Sequence, residues 1–256
     1  MNTLMNKNLR IAGFVIGILL LVFTLGFVFQ LPWAVNLWPW PDSRLSYLFI
    51  GSILAAVTVT VVWISWLGEW GALPGGALNV FVVAVTWTAY FLQRSFSGNH
   101  SPLLFYGIVG ILIALVSAAA FLWSRRLPLH DTRPTPRFLL FSFGLFTVVL
   151  VLAAGALIFR FPTIFPWPLN PDSSVLFGCI FIGDAFYFFY GLLFPRWHNA
   201  YGQLLSFLAY DLVLIFPFLS LFSSVKPDHR LSLIIYVAVL LYSGLLAIYY
   251  LLLNRV

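Results

Sequence analysis

The sequence predicts an all-α polytopic membrane protein, with eight transmembrane helices forming two tandem parallel four-helix repeats and both termini on the cytoplasmic side. Three observations carry that expectation. The chain is 62% hydrophobic and 8% charged, whereas a soluble domain is roughly a quarter charged, so lipid has to solvate most of its surface. Its apolar residues form continuous runs of about 20 residues, enough to cross the hydrocarbon core. The runs lack the two-residue alternation of an outer-membrane strand, which leaves helices, whose backbone satisfies itself. The third observation is a recurring loop: Leu37-Trp38-Pro39-Trp40-Pro41-Asp42-Ser43 returns as Pro166-Trp167-Pro168-Leu169-Asn170-Pro171-Asp172-Ser173.

The expected spans are 11–30, 43–66, 77–93, 102–124, 138–159, 173–194, 203–222 and 231–253. The first follows Lys7 and Arg10 as a secretory signal would. It is long for a signal core, has no small-residue cleavage site after it and has a counterpart in the fifth span, so a retained helix is expected. Gly13 and Gly17 give it a small-residue face for close helix packing. The second and sixth spans each start at a Pro-Asp-Ser sequence, whose Asp or Ser suits the free amides and positive dipole end of a helix N-terminus. The third and fourth flank Asn99-His100. Pro217 should kink the seventh span, and the eighth follows Pro227-Asp228-His229.

Similarity between the halves runs beyond the loop. Phe29, Gln30 and Pro32 match Phe159, Arg160 and Pro162; Trp66, Trp70 and Gly71 match Trp197, Tyr201 and Gly202; Asn99-His100 matches Asp228-His229. The expected organisation is a first membrane repeat over 1–123, a basic cytoplasmic linker over 124–137 and a second repeat over 138–256. Four spans per copy is an even number, so both copies enter the membrane in the same sense. Orientation follows the basic residues: with the N-terminus inside, Lys7, Arg10, Arg125, Arg126, Arg133, Arg137, Arg196 and Arg255 are cytoplasmic, against Arg44, Arg94, Arg160, Lys226 and Arg230 outside. Their scatter over short loops makes the formal charge of +6 a topology signal and excludes a nucleic-acid stripe.

The sharpest functional candidates are two acids inside apolar runs, Asp184 and Asp211, with Tyr187, Tyr190 and Tyr210 as prospective neighbours. A carboxylate in a span is costly and points to function by default; at about 1.5 Å per residue both lie about 12 to 15 Å from the cytoplasmic boundary. Transport of a proton or cation is one use for them, and hydrogen bonding to a facing helix is the other. The first repeat has Ser52 and Asn79 near the corresponding places. Glu69, at the inner end of the second span, is expected to be solvated or capped. Trp33, Trp38, Trp40 and Trp167 are expected at headgroup level, and Asp42 and Asp172 at the outer helix starts. His100, His130, His198 and His229 are expected in loops. That places no histidine pair for a haem and makes only a weak metal signal, so no metal site is expected. The single cysteine, Cys179, excludes an internal disulfide.

The loops are too short for a soluble domain, and no nucleophile constellation, P-loop or HExxH sequence is present. The expected function is that of a non-catalytic integral membrane protein of a bacterial cytoplasmic membrane. It would be an accessory or scaffold subunit of a membrane complex, or a binder of a lipid, quinone or pigment, in contact with the bilayer and with other membrane subunits but not with nucleic acid. The alternative is a transporter or channel using Asp184 and Asp211. An intramembrane enzyme ranks below both.

Overall fold

Each apolar run becomes a helix, because a buried backbone amide in lipid has no partner except its own carbonyls. The computed structural model describes residues 3–98 and 101–253. Its long helices are α1 (Thr3–Val28), α3 (Arg44–Leu67), α4 (Leu73–Gly98), α5 (Ser101–Ser124), α6 (Arg137–Ile158), α7 (Pro171–Leu193), α8 (Trp197–Leu221) and α9 (Pro227–Ile248). All eight are long and apolar enough to cross a membrane: the shortest, α6 and α9, have 22 residues, or about 33 Å. A single-turn helix, α2 (Pro32–Val35), begins on a proline, a 3-10 turn covers Trp70–Ala72, and the chain beyond α9 continues as a π turn over Tyr249–Leu253. Asn99 and His100 lie outside the described residues.

The helix ends follow local chemistry. Ser43 caps α3 by accepting from the Ser46 amide at 3.3 Å, and α3 stops at Gly68, whose φ of 72° is the left-handed conformation that glycine adopts without strain. Arg10 of α1 donates to the carbonyls of Ser65 and Trp66 at that end, a favourable place for a cation. The C-termini of α1 and α6 close identically. Gln30 and Arg160 take positive φ, 54° and 60°, while the amides of Leu31 and Phe161 reach back to the carbonyls of Gly26 and Ala156 at 2.8 and 3.0 Å, the hydrogen-bonded C-terminal reversal that satisfies otherwise free carbonyls.

The chain forms two compact units. The first comprises Met1–Glu69, Pro162–Asn170 and Ala200–Val256; the second comprises Trp70–Phe161 and Pro171–Asn199. In the first, α1 packs along α3, and Gly17 sits where a Cβ would meet Val62 at 2.6 Å, so the small face expected on the first span is used. Between α3 and α8, Thr60 and Ser206 share a hydrogen bond of 2.7 Å and the rings of Trp63 and Tyr201 lie 5.1 Å apart. In the second unit α4 packs against α5 and α7, and α6 against α7; Trp87 of α4 donates to the Leu176 carbonyl at 3.0 Å. The most buried spans are α7 and then α3, whereas α1, α5 and α6 turn residues such as Ile18, Leu115 and Leu152 outward, as helices facing lipid should.

Candidate functional site

An acid in a span must find a donor, and each of the two finds one on a neighbouring helix of its own unit. In the second unit Asp184 Oδ1 accepts from Asn79 Nδ2 at 2.7 Å, tying α7 to α4. The close approach depends on Gly183, where a Cβ would stand 2.5 Å from Asn79 Oδ1 and 3.0 Å from its backbone carbonyl. In the first unit Asp211, 5% exposed, accepts from Ser243 Oγ at 3.0 Å, tying α8 to α9. Its second oxygen has no protein partner among the described residues. That oxygen faces Gly244, where a Cβ would lie 3.3 Å away. Asn79 and Ser243, and not the tyrosines expected as neighbours, therefore supply the donors seen at the two acids. Tyr187 is buried beside Phe188, with ring centroids at 5.8 Å, and Tyr210 meets the edge of Phe49 at 6.1 Å.

The two Pro-Asp-Ser loops put the same residues to different use. Asp42 precedes α3, where its Oδ1 accepts from the Ser43 amide and the Ser46 hydroxyl, each at 2.7 Å. Asp172 lies inside the first turn of α7, accepts from the Tyr90 hydroxyl and pairs with Arg94 at 3.2 Å and Arg160 at 3.5 Å. Trp38 and Trp167 of these loops are buried, at 8% and 4% exposure. Trp167 donates to Ser46 Oγ at 2.9 Å and packs on Phe165 and Phe218 at 4.7 and 5.7 Å. Trp40 is half-buried and Trp33 exposed.

Three other expectations change. Glu69 is buried at 1% exposure rather than solvated. His229 belongs to the first turn of α9, is buried, and its Nδ1 lies 2.8 Å from the Phe165 carbonyl. His198 likewise belongs to the first turn of α8 instead of a loop. Ser243 escaped sequence reasoning altogether; its signal is a hydroxyl beside a glycine in an apolar run. Asn79 was visible as a polar residue in a span, but nothing along the chain pointed to α7 as its neighbour. Comparison with protein-family models, curated proteins and solved structures finds no match to this chain.

Proposed function

We propose that the protein is a non-catalytic integral membrane protein, an accessory or scaffold subunit of a membrane complex or a holder of a hydrophobic ligand such as a lipid, quinone or pigment. One observation carries the reading: both intramembrane acids serve as interhelix ties to a single neutral partner within their own unit, the arrangement of polar groups that hold helices together. Native purification tests it. Stoichiometric recovery of a second membrane protein, or of a bound lipid, quinone or pigment, is expected; a stable lone monomer carrying none of these would remove the reading.

A duplicated four-helix architecture, with repeats over 1–123 and 138–256 and both termini in the cytoplasm of a bacterium, belongs to the same proposal. Its support is the matching closure of α1 and α6 at Gln30 and Arg160 and the make-up of the compact units. Each unit takes one helix pair from each repeat: α1, α3 and most of α8 with α9 in one, α4 and α5 with α6 and α7 in the other. Exchange of the two repeats maps one set onto the other. Cysteine labelling from either side of sealed vesicles at positions 126 and 226 tests the orientation: position 126 should react from the cytoplasmic side alone and position 226 from the outer side alone.

A second reading, a transporter or channel, draws on the unpartnered Asp211 Oδ2, an oxygen free to take a proton or cation. Asp211→Asn should then abolish proton-linked uptake in proteoliposomes. Unchanged uptake would remove Asp211 from any such mechanism.

A further inference from the structure

We propose that the linker side of the second unit binds the phosphodiester head of an anionic glycerophospholipid, with a hydroxyl-bearing head of the phosphatidylglycerol kind fitting best. A cavity of about 480 Å³ opens there, between the end of α5, the 124–137 linker, the end of α7 and the start of α8; pockets of about 300 to 1,000 Å³ are the usual size for small ligands. Backbone hydrogen bonds join two of the segments that border it. The Thr135 amide donates to the Pro195 carbonyl at 3.1 Å and the Trp197 amide to the Arg133 carbonyl at 2.8 Å, stitching the linker to the α7–α8 turn.

Two guanidinium groups border the cavity. Arg196 donates through Nη1 to the Thr132 carbonyl at 3.1 Å, which fixes the group while leaving most of its five donors open. Arg125 lies over the Phe121 ring at 5.7 Å, a cation–π contact that keeps it at the rim. Neither has a carboxylate partner among the described residues. The one acid of the linker, Asp131, is engaged by Arg133. Two unpaired arginines call for an anion, and their planar forks suit phosphate oxygens.

The remaining lining narrows the class. Asn199 gives its Nδ2 to the Phe194 carbonyl at 2.9 Å, and its buried Oδ1 has no partner among the described residues. An orphaned buried acceptor calls for a donor such as a ligand hydroxyl, which a choline head lacks. Tyr190 and Phe194, with centroids 4.7 Å apart, form an aromatic wall, and Phe194 is half exposed at the end of α7. An apolar wall next to two arginines at the end of a span matches an amphiphile whose chains remain in the bilayer, and basic pockets between spans are known binders of anionic heads.

The test uses the full chain, delipidated in a neutral detergent, with bound lipid read by native mass spectrometry during titration. Phosphatidylglycerol should bind about tenfold tighter than phosphatidylcholine, or about 1.4 kcal/mol. Arg125→Ala and Arg196→Ala should each lower phosphatidylglycerol affinity about tenfold. The Lys variants should retain part of it, since they keep the charge but not the fork. Arg126→Ala, on the same linker but outside the cavity lining, should leave affinity unchanged. Both rim arginines are exposed, so all variants should melt with the parent protein. Equal affinity for the two lipids, indifference to Arg125→Ala and Arg196→Ala, or an equal loss with Arg126→Ala would overturn the site. Soluble glycerol 3-phosphate binding as tightly as phosphatidylglycerol would overturn its assignment to a lipid.

Discussion

The two compact units meet the same difficulty, polar groups in a lipid-solvated bundle, with different chemistry. The first relies on hydroxyls: Thr24 meets Thr58 at 3.4 Å, Thr60 meets Ser206, and Ser243 meets Asp211. Each of these hydroxyls also bonds a carbonyl one turn back in its own helix, as Ser243 does to Val239 at 2.8 Å. Loss of either hydroxyl–hydroxyl tie therefore strands no hydroxyl, whereas loss of Ser243 would leave Asp211 without its donor. The second unit relies on amide and charge: Asn79 with Asp184, and Asp172 with Tyr90, Arg94 and Arg160. Asn79 and Asp184 lie within spans, so removing one of them leaves the other facing the low dielectric. The second unit should accordingly be the more sensitive to single substitutions.

Asn79→Leu gives the hardest test. Leaving Asp184 without a donor in the span should cost about 1 to 3 kcal/mol in a reversible unfolding assay in mixed micelles, whereas the Asn79→Leu/Asp184→Leu double variant should recover most of that loss. A double-mutant cycle showing no coupling would mean that the 2.7 Å bond contributes nothing. Asp172→Ala comes next, at about 1 kcal/mol from two partly exposed ion pairs, and the loss should shrink in 1 M salt. Asp42→Ala, whose partners are neutral and local, should show no such salt dependence, and a salt response equal to that of Asp172→Ala would erase the contrast between the units. Ser206→Ala in the first unit, which leaves Thr60 bonded to the Ala56 carbonyl of its own helix, should cost about 0.6 kcal/mol, the usual size of a hydrogen bond between membrane helices.

The smallest effect belongs to the surface. The Arg133 side chain hydrogen bonds to Asp131 and holds its carboxyl below the ordinary carboxylate range. A group whose pKa falls on folding contributes stability above its unfolded pKa and loses it as pH drops through the folded one. The Asp131 pair should therefore weaken only below about pH 4, and Asp131→Asn should slightly lower stability at neutral pH, where the pair is intact, and converge on the parent protein as the pH falls through the acid limb.

Much of the architecture was legible because it depends on sums along the chain. A continuous apolar run announces a span whatever its neighbours are, and all eight expected runs are helices. The boundaries were less legible. The start of α4 at Leu73 lay hidden under Pro74-Gly75-Gly76, which reads as a turn although proline is well tolerated in a first helical turn. The start of α8 at Trp197 lay under the polar His198 and Asn199. The single turn of α2 is too short for any periodicity to show. At the candidate site, Asp184 and Asp211 stood out as carboxylates in apolar runs, but Asn79 and Ser243 gained their roles only from which helix faces which.

The sequence by itself determined that this chain belongs in a bilayer, that it crosses as helices, and that two carboxylates lie within the spans. Transfer from water to lipid is a property of each segment's own composition, so it can be read locally. Tertiary structure decided that Trp167 is a buried hydrogen-bond donor to Ser46, that Glu69 and His229 are buried, and that Asp184 answers to Asn79 and Asp211 to Ser243. Those outcomes depend on the rotation and pairing of helices far apart along the chain, which packing sets and hydropathy leaves open.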